Sequence, residues 1–318
     1  EGLAVSADAS KDVPCNCHMA VRSNFFIPYG FKKVILRLTS DDYYKLWING
    51  SFVGQGPAQG YYFSYYYNEY DITSFVNKGE NQIFLDVYYQ GLCNRVWNSG
   101  DNRQGLVADI LVDGRIIGGT DGTWEYTYDP RYISNRATGY DTQFLEDYDS
   151  RKCLANWRPV CVRKTDYRFY PKPQPTLEWY DIEPQTYNIL PDGTLQLDFG
   201  HEITGTLCIE VNGHSGERLI IRYGEELLEN GRVRFNMRCN CLYEETWILA
   251  DGESSFEGYD YKAFRYAEII PTDGKENCVK KVAARVRHYP FDDNACTLYC
   301  SDEVLKSVFE ICKSGVKF

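Results

Sequence analysis

At 318 residues the chain is long enough for two domains, since a single core rarely grows past about 250. Its 34 Lys and Arg against 45 Asp and Glu give a formal charge of −11, which repels phosphate backbones and argues against a nucleic-acid partner. No apolar run of about 18 residues is present to span a membrane. The start, Glu1-Gly2-Leu3-Ala4, shows no basic stretch ahead of an apolar core, so no signal peptide is visible and a cytoplasmic location is expected.

The elements read mostly as strands. Lys33-Val34-Ile35-Leu36-Arg37-Leu38 is followed by Asp41-Asp42 and then Tyr43-Tyr44-Lys45-Leu46-Trp47-Ile48. Asn49-Gly50 predicts a hairpin, because both residues tolerate positive φ, and Ser51-Phe52-Val53-Gly54 is the return strand. Residues 71–75 read as a single turn. Gln82-Ile83-Phe84-Leu85-Asp86-Val87-Tyr88-Tyr89 and residues 107–112 continue the pattern, with Asp113-Gly114 as the next turn and a further strand after Thr120-Asp121-Gly122-Thr123-Trp124. Many short strands between turn signals predict antiparallel sandwiches, and the 27 Tyr, 16 Phe and 6 Trp suit them. Alternation along a strand would bury about half of the aromatic run at residues 61–67, so its expected place is the core.

Pro171, Pro173 and Pro175 lie within five residues and predict a stiff linker. The expected domains are a sandwich over 1–165, a linker over 166–182, a second sandwich over 183–290, and a helix over 296–318. Leu195-Gln196-Leu197-Asp198-Phe199-Gly200 opens the second block, and residues 207–211, 217–223 and 267–270 continue it. For the helix, Ser301 is the expected N-cap, with Asp302 and Glu303 in the first turn. Val304, Val308 and Ile311 share one face, widened by Leu305, Phe309 and Cys312. That stripe either docks on a sheet or begins a helical domain that the chain does not contain.

The twelve cysteines are irregularly spaced, and Cys161 and Cys208 sit inside strand-like runs, which suits buried free thiols better than a disulfide framework. Cys15-Asn16-Cys17-His18 and Cys239-Asn240-Cys241 lack the spacing of structural zinc, and His18, His201, His214 and His288 are scattered, so no metal ligand is assigned.

Three stretches of the second block resemble the β-sandwich that precedes the catalytic domain of bacterial α-L-rhamnosidases. They are Asp198-Phe199-Gly200-His201-Glu202-Ile203-Thr204-Gly205, Tyr223-Gly224-Glu225-Glu226-Leu227 with Asn230-Gly231, and residues 256–266, which end in Phe264-Arg265-Tyr266 and carry Ala263 where Gly is usual. In the first block, residues 41–50, 120–124 and Glu146-Asp147-Tyr148-Asp149-Ser150-Arg151 with Trp157 resemble the N-terminal, galactose-binding-like sandwich of the same family. Ser301-Asp302-Glu303-Val304-Leu305 sits where the family's first barrel helix begins. The resemblance implies an all-β pair of jelly-roll-like sandwiches with a short C-terminal helix that begins a missing (α/α)6 barrel. It also implies a parent enzyme that releases terminal α-L-rhamnose by inverting hydrolysis.

Inverting hydrolysis needs an acid and a base about 6.5–9.5 Å apart with a water between them. In the resembled family both lie in the barrel, so no catalytic residue is carried over and the chain alone is expected to be inactive. Glu225-Glu226, read as strand-end neighbours on opposite faces, and Asp41-Asp42, read as a turn, do not supply such a pair. Its expected role is to brace the barrel, with rhamnosides and that helical domain as partners.

One loop has the composition of a sugar site: Arg95, Trp97, Asn98, Asp101, Asn102 and Arg103 combine an aromatic face with amide, acid and guanidinium groups. The resemblance implies that calcium could be held at Asp101 and Asn102, which offer hard oxygen ligands. No other cofactor is expected. The rival to a hydrolase fragment is a free-standing carbohydrate-binding module with this loop as its site.

Overall fold

The computed structural model describes residues 15–58, 60–61, 63–93, 99–100, 103–139, 143–272 and 278–318, together with the backbone of 3–6. Two compact units result. The first comprises 1–135, 141–144 and 153–174, and the second comprises 136–140, 145–152 and 175–318.

In chain order the strands are β1 (Leu3–Ser6), β2 (Cys17–Ile27), β3 (Val34–Asp41), β4 (Tyr43–Ile48), β5 (Ser51–Gly56), β6 (Tyr65–Asp71), β7 (Gly79–Tyr89), β8 (Gly105–Val112), β9 (Arg115–Gly119) and β10 (Glu125–Tyr128). Next come the short β11 (Ala137–Thr138), β12 (Gln143–Phe144), β13 (Tyr148–Asp149), β14 (Arg158–Pro159), β15 (Cys161–Lys164) and β16 (Phe169–Pro171). The rest are β17 (Glu178–Ile182), β18 (Thr186–Ile189), β19 (Leu195–Gly213), β20 (Arg218–Gly224), β21 (Glu244–Ile248), β22 (Gly252–Glu257), β23 (Lys262–Pro271) and β24 (Val279–His288), followed by α1 (Glu303–Lys317).

The first unit is a sandwich of two sheets, in the orders β15-β1-β8-β3-β6-β16, with β9 on β8, and β14-β10-β2-β7-β4-β5. Period-2 burial explains the layers. Val34, Leu36 and Leu38 of β3 and Ile83, Leu85 and Val87 of β7 face one core, while Ile35, Arg37 and Phe84 on the alternate positions are less buried. Both predicted tight turns form. Asn49 and Gly50 take φ of 50° and 79°, and Asp113 and Gly114 take 47° and 80°, as a two-residue hairpin loop requires. The proline-rich stretch contains β16, which runs parallel to β6 with Pro171 opposite Tyr67.

The second unit is built on one sheet, β13-β21-β20-β23-β19-β24-β17, with β18 and β22 also on β19. Nineteen residues long, β19 serves two sets of partners. Its first half pairs with β18 and β23, its second half with β24 and β22, and its register shifts between Asp198 and Ile203. Gly200, at φ 81°, sits in that irregular segment, where a Cβ would collide with the Gln185 side chain. One face of β19 to β24 feeds a single core that includes Phe199, Tyr223, Trp247 and Phe264.

The N-cap of α1 is Asp302, not Ser301. Its Oδ1 accepts from the Val304 and Leu305 N–H groups at 2.8 and 3.2 Å, which a carboxylate one residue nearer the helix does better than a more distant hydroxyl. No residue of α1 is buried: Val304 is 70% exposed and Ile311 71%. The helix is held to its unit through Lys317, 3.1 Å from Asp293, and through Phe318, whose ring lies 5.4 Å from that of His288. Cys161 and Cys208 are half-buried rather than buried, and all twelve cysteines are free thiols. None of the described helices is long and apolar enough to cross a membrane.

Candidate functional site

Of the six residues read as a sugar-binding loop, Arg95, Trp97, Asn98, Asp101 and Asn102 lie outside the described residues, and so does the calcium site expected at Asp101 and Asn102. Arg103 is described, as are both ends of the loop. Those ends are pinned by buried polar groups of the first unit. Asp42 Oδ2 accepts from Ser99 Oγ at 2.8 Å and from the Gln90 N–H at 2.6 Å. Ser99 Oγ in turn accepts from the Leu92 N–H at 2.9 Å. On the far side Gln104 Nε2 donates to the carbonyls of Cys17 and Val87 at 3.0 and 3.1 Å. A buried carboxylate is retained here because it collects donors that would otherwise be left without partners.

Asp41 ends β3, and Asp42 is the single bend residue before β4. They lie at the junction of β3 and β4, both buried. Asp41 accepts from the Tyr65 hydroxyl at 3.2 Å. Gly100 packs on that pair so closely that a Cβ would strike both the Tyr65 hydroxyl and the Asp41 carboxylate. Gly100 also forms a parallel bridge with Tyr61. Beside it, Tyr61 and Phe63 project from a tight turn closed by reciprocal backbone bonds between Tyr61 and Ser64. Their rings stack at 5.4 Å with an angle of 8° between planes, and they are 58% and 57% exposed. The run is expected to be half-buried along a strand; Tyr65 is buried, whereas Tyr61 and Phe63 are exposed, because the strand that enforces alternation begins only at Tyr65.

Arg103 lines a small cavity with Asp41, Tyr65, Arg163 and Tyr167, and the Arg163 guanidinium lies 5.4 Å from the Tyr167 ring centre. The loop base thus gathers two carboxylates, two guanidinium groups and an exposed aromatic pair, the mixture that sugar rings and hydroxyls engage. Sequence reasoning weighs these residues but assigns Tyr61 and Phe63 to the core and sets Asp41 and Asp42 aside as a turn. The signal that could have found the rings is Gly60 and Ser64 bracketing an aromatic run, which favours a turn over a strand.

In the second unit the motif residues serve packing. Arg265 donates bidentately to Asp198 at 2.8 and 2.9 Å, joining two of the three motif stretches and holding the Asp198 carboxyl below its ordinary range. A Cβ at Gly224 would strike the Arg234 carbonyl. Glu225 and Glu226 follow the end of β20 rather than lying on it, and Glu226 pairs with Arg234. Deeper in, Lys262 Nζ lies 2.6 Å from Glu245 Oε1, and the Tyr223 hydroxyl donates to Glu245 Oε2 at 3.1 Å. Burial pushes Glu245 up to about 7 despite the ammonium beside it. Burial works against the Lys262 charge, but Glu245 and Glu146 outweigh it and hold the amine protonated. Among the described residues no cluster of three or more His, Cys, Asp or Glu could hold a metal ion.

The architecture is that of paired β-sandwich modules whose motif residues are structural. Residues 30–178 match the α-L-rhamnosidase N-terminal domain and residues 188–288 the bacterial α-L-rhamnosidase concanavalin-like domain. The chain belongs to these domain families of the α-L-rhamnosidases. It is 27% identical over 310 residues to an α-L-rhamnosidase of Formosa agariphila, covering 85% of this chain and 31% of the relative. For an α-L-rhamnosidase of Streptomyces avermitilis the figures are 26% over 303 residues, 84% and 28%. The chain thus spans about a third of the length of these curated relatives. Its fold is similar to the crystal structure of a GH78 family rhamnosidase of Bacillus sp. GL1, with a TM-score of 0.86 at 14% identity, covering 99% of this chain and 57% of that one.

Proposed function

We propose that this chain is the non-catalytic β-sandwich region of an α-L-rhamnosidase-like glycoside hydrolase, whose whole protein removes terminal α-L-rhamnose by inverting hydrolysis. The observation that carries this reading is the succession of the two rhamnosidase domain matches, in order, in a chain about a third as long as its relatives. The units brace a helical catalytic domain, and the exposed apolar face of α1 suits contact with it. The test is hydrolysis of an aryl α-L-rhamnoside by this chain and by a longer protein carrying it ahead of a helical domain. The expected result is a silent short chain beside an active long one. Silence from both would sink the substrate assignment.

The exposed Tyr61 and Phe63 rings, on a turn bridged to Gly100, favour a second reading, that the first unit binds sugar as a carbohydrate-binding module does. Two exposed stacked rings offer a platform for the apolar face of a pyranose. The calcium expected at Asp101 and Asn102, whose side-chain oxygens are the donor type that calcium takes, belongs to this reading. Saturable binding of L-rhamnose that Tyr61→Ala weakens by about tenfold or more, and that chelation of calcium weakens too, is the expected result. Unchanged binding in Tyr61→Ala would remove the platform from the site.

A further inference from the structure

A second groove in the first unit lies at the edge strand β14 and has a different chemistry. Its volume is about 250 Å3, room for one sugar ring. Tyr126 and Tyr128 alternate onto the same face of β10, with ring centres 5.8 Å apart and planes at 80°. Arg158 is the cross-strand partner of Tyr126 and so presents its side chain to that face. Thr127, pointing the other way, donates to the Ala155 carbonyl at 2.6 Å and pins the segment that forms the opposite wall. That wall carries Asn156, held in the left-handed region at φ 55°.

Charge decides what the groove suits. The chain carries an excess of eleven acidic residues, yet among the described residues no Asp or Glu lines this groove. Neighbouring arginines are neutralised: Arg22 by Glu125 at 2.8 Å and Arg131 by Asp129 at 2.6 Å. Arg158 makes no ion pair or hydrogen bond with any described residue, and the Asn156 amide is likewise unused. A planar guanidinium with open donors matches a carboxylate bidentately. An aromatic wall matches the C–H face of a pyranose, and an amide matches its hydroxyls.

The geometry points to a binding groove for an acidic pyranose, a hexuronate, whose carboxylate meets Arg158, whose ring face lies on Tyr128 and whose hydroxyls meet Asn156. This site stands apart from the Tyr61 platform and does not depend on the rhamnosidase reading. The experiment is calorimetric and NMR titration of the full chain with D-glucuronate and, in parallel, with D-glucose. Saturable glucuronate binding is expected, with glucose weaker by about tenfold or more and with affinity falling as salt is raised. Arg158→Gln is expected to remove the difference between the two sugars, Arg158→Lys to retain part of it, and Tyr61→Ala to leave it intact. Both Arg158 variants change an exposed edge position, so an unchanged thermal midpoint confirms the fold. Equal binding of the two sugars, no saturation by glucuronate, or full selectivity in Arg158→Gln would each overturn the assignment.

Discussion

Replacing Lys262 with Met is expected to cost the second unit about 3–5 kcal/mol of stability at neutral pH, the range seen when one partner of a buried ion pair is removed. Lys262 and Glu245 are both buried, and the ammonium is 2.6 Å from the carboxylate. Without it, Glu245 keeps only the Tyr223 hydroxyl among its named partners, at 3.1 Å. The sign of the pH dependence follows from burial. A carboxyl whose folded pKa is raised, here to about 7, holds its proton in the fold while the unfolded chain releases it above about 4.5. Its contribution is therefore complete at low pH and is lost as pH rises toward the folded value. Removing Lys262 raises that value further, so parent and variant should lose stability in parallel up to about pH 7, and the gap between them should widen only as pH rises past the parent's folded value. Urea unfolding at several pH values measures it. The double variant Lys262→Met with Glu245→Leu should recover most of the loss, since it leaves no uncompensated charge. A double variant as unstable as the single one would place the damage in packing instead.

The second large effect is expected at Glu146. This residue belongs to the segment 145–152, which packs within the second unit. Its two oxygens accept from the backbone N–H groups of Tyr259 and Asp260 at 2.5 and 2.6 Å. Tyr259 is buried, so water does not readily replace the carboxylate. Glu146→Ala leaves two donors without partners at about 1–3 kcal/mol for each buried group, giving a loss of roughly 3 kcal/mol. Glu146→Gln keeps one acceptor oxygen and should lose about half as much. The comparison is made by urea unfolding. A loss below about 0.5 kcal/mol in Glu146→Ala would mean that these N–H groups find other partners.

Glu146 also shows where local reading stops. It was singled out as part of one motif and Tyr259 and Asp260 as part of another, 113 residues on, with nothing local to say that the first caps the second. The same holds for Asp198 with Arg265. Each motif marks one half of a contact whose other half is distant in the chain. The candidate loop shows a related limit: its composition was legible, whereas the groups that pin it, Asp42 and Gln104, act through sheet neighbours.

What the sequence determined by itself is what short-range physics controls. Period-2 alternation made the strands, positive-φ tolerance placed the hairpins at Asn49-Gly50 and Asp113-Gly114, and a 3.6-residue stripe made α1. The order of several weak motifs was enough to suggest the family. Only the tertiary structure decided which polar groups are buried and with whom, that Tyr61 and Phe63 lie outside the core, and that Arg158 faces a groove with no carboxylate among the described residues of its lining. Those outcomes depend on desolvation and charge pairing between strands far apart in the chain, and the energy of such a contact exists only once the sheets have assembled.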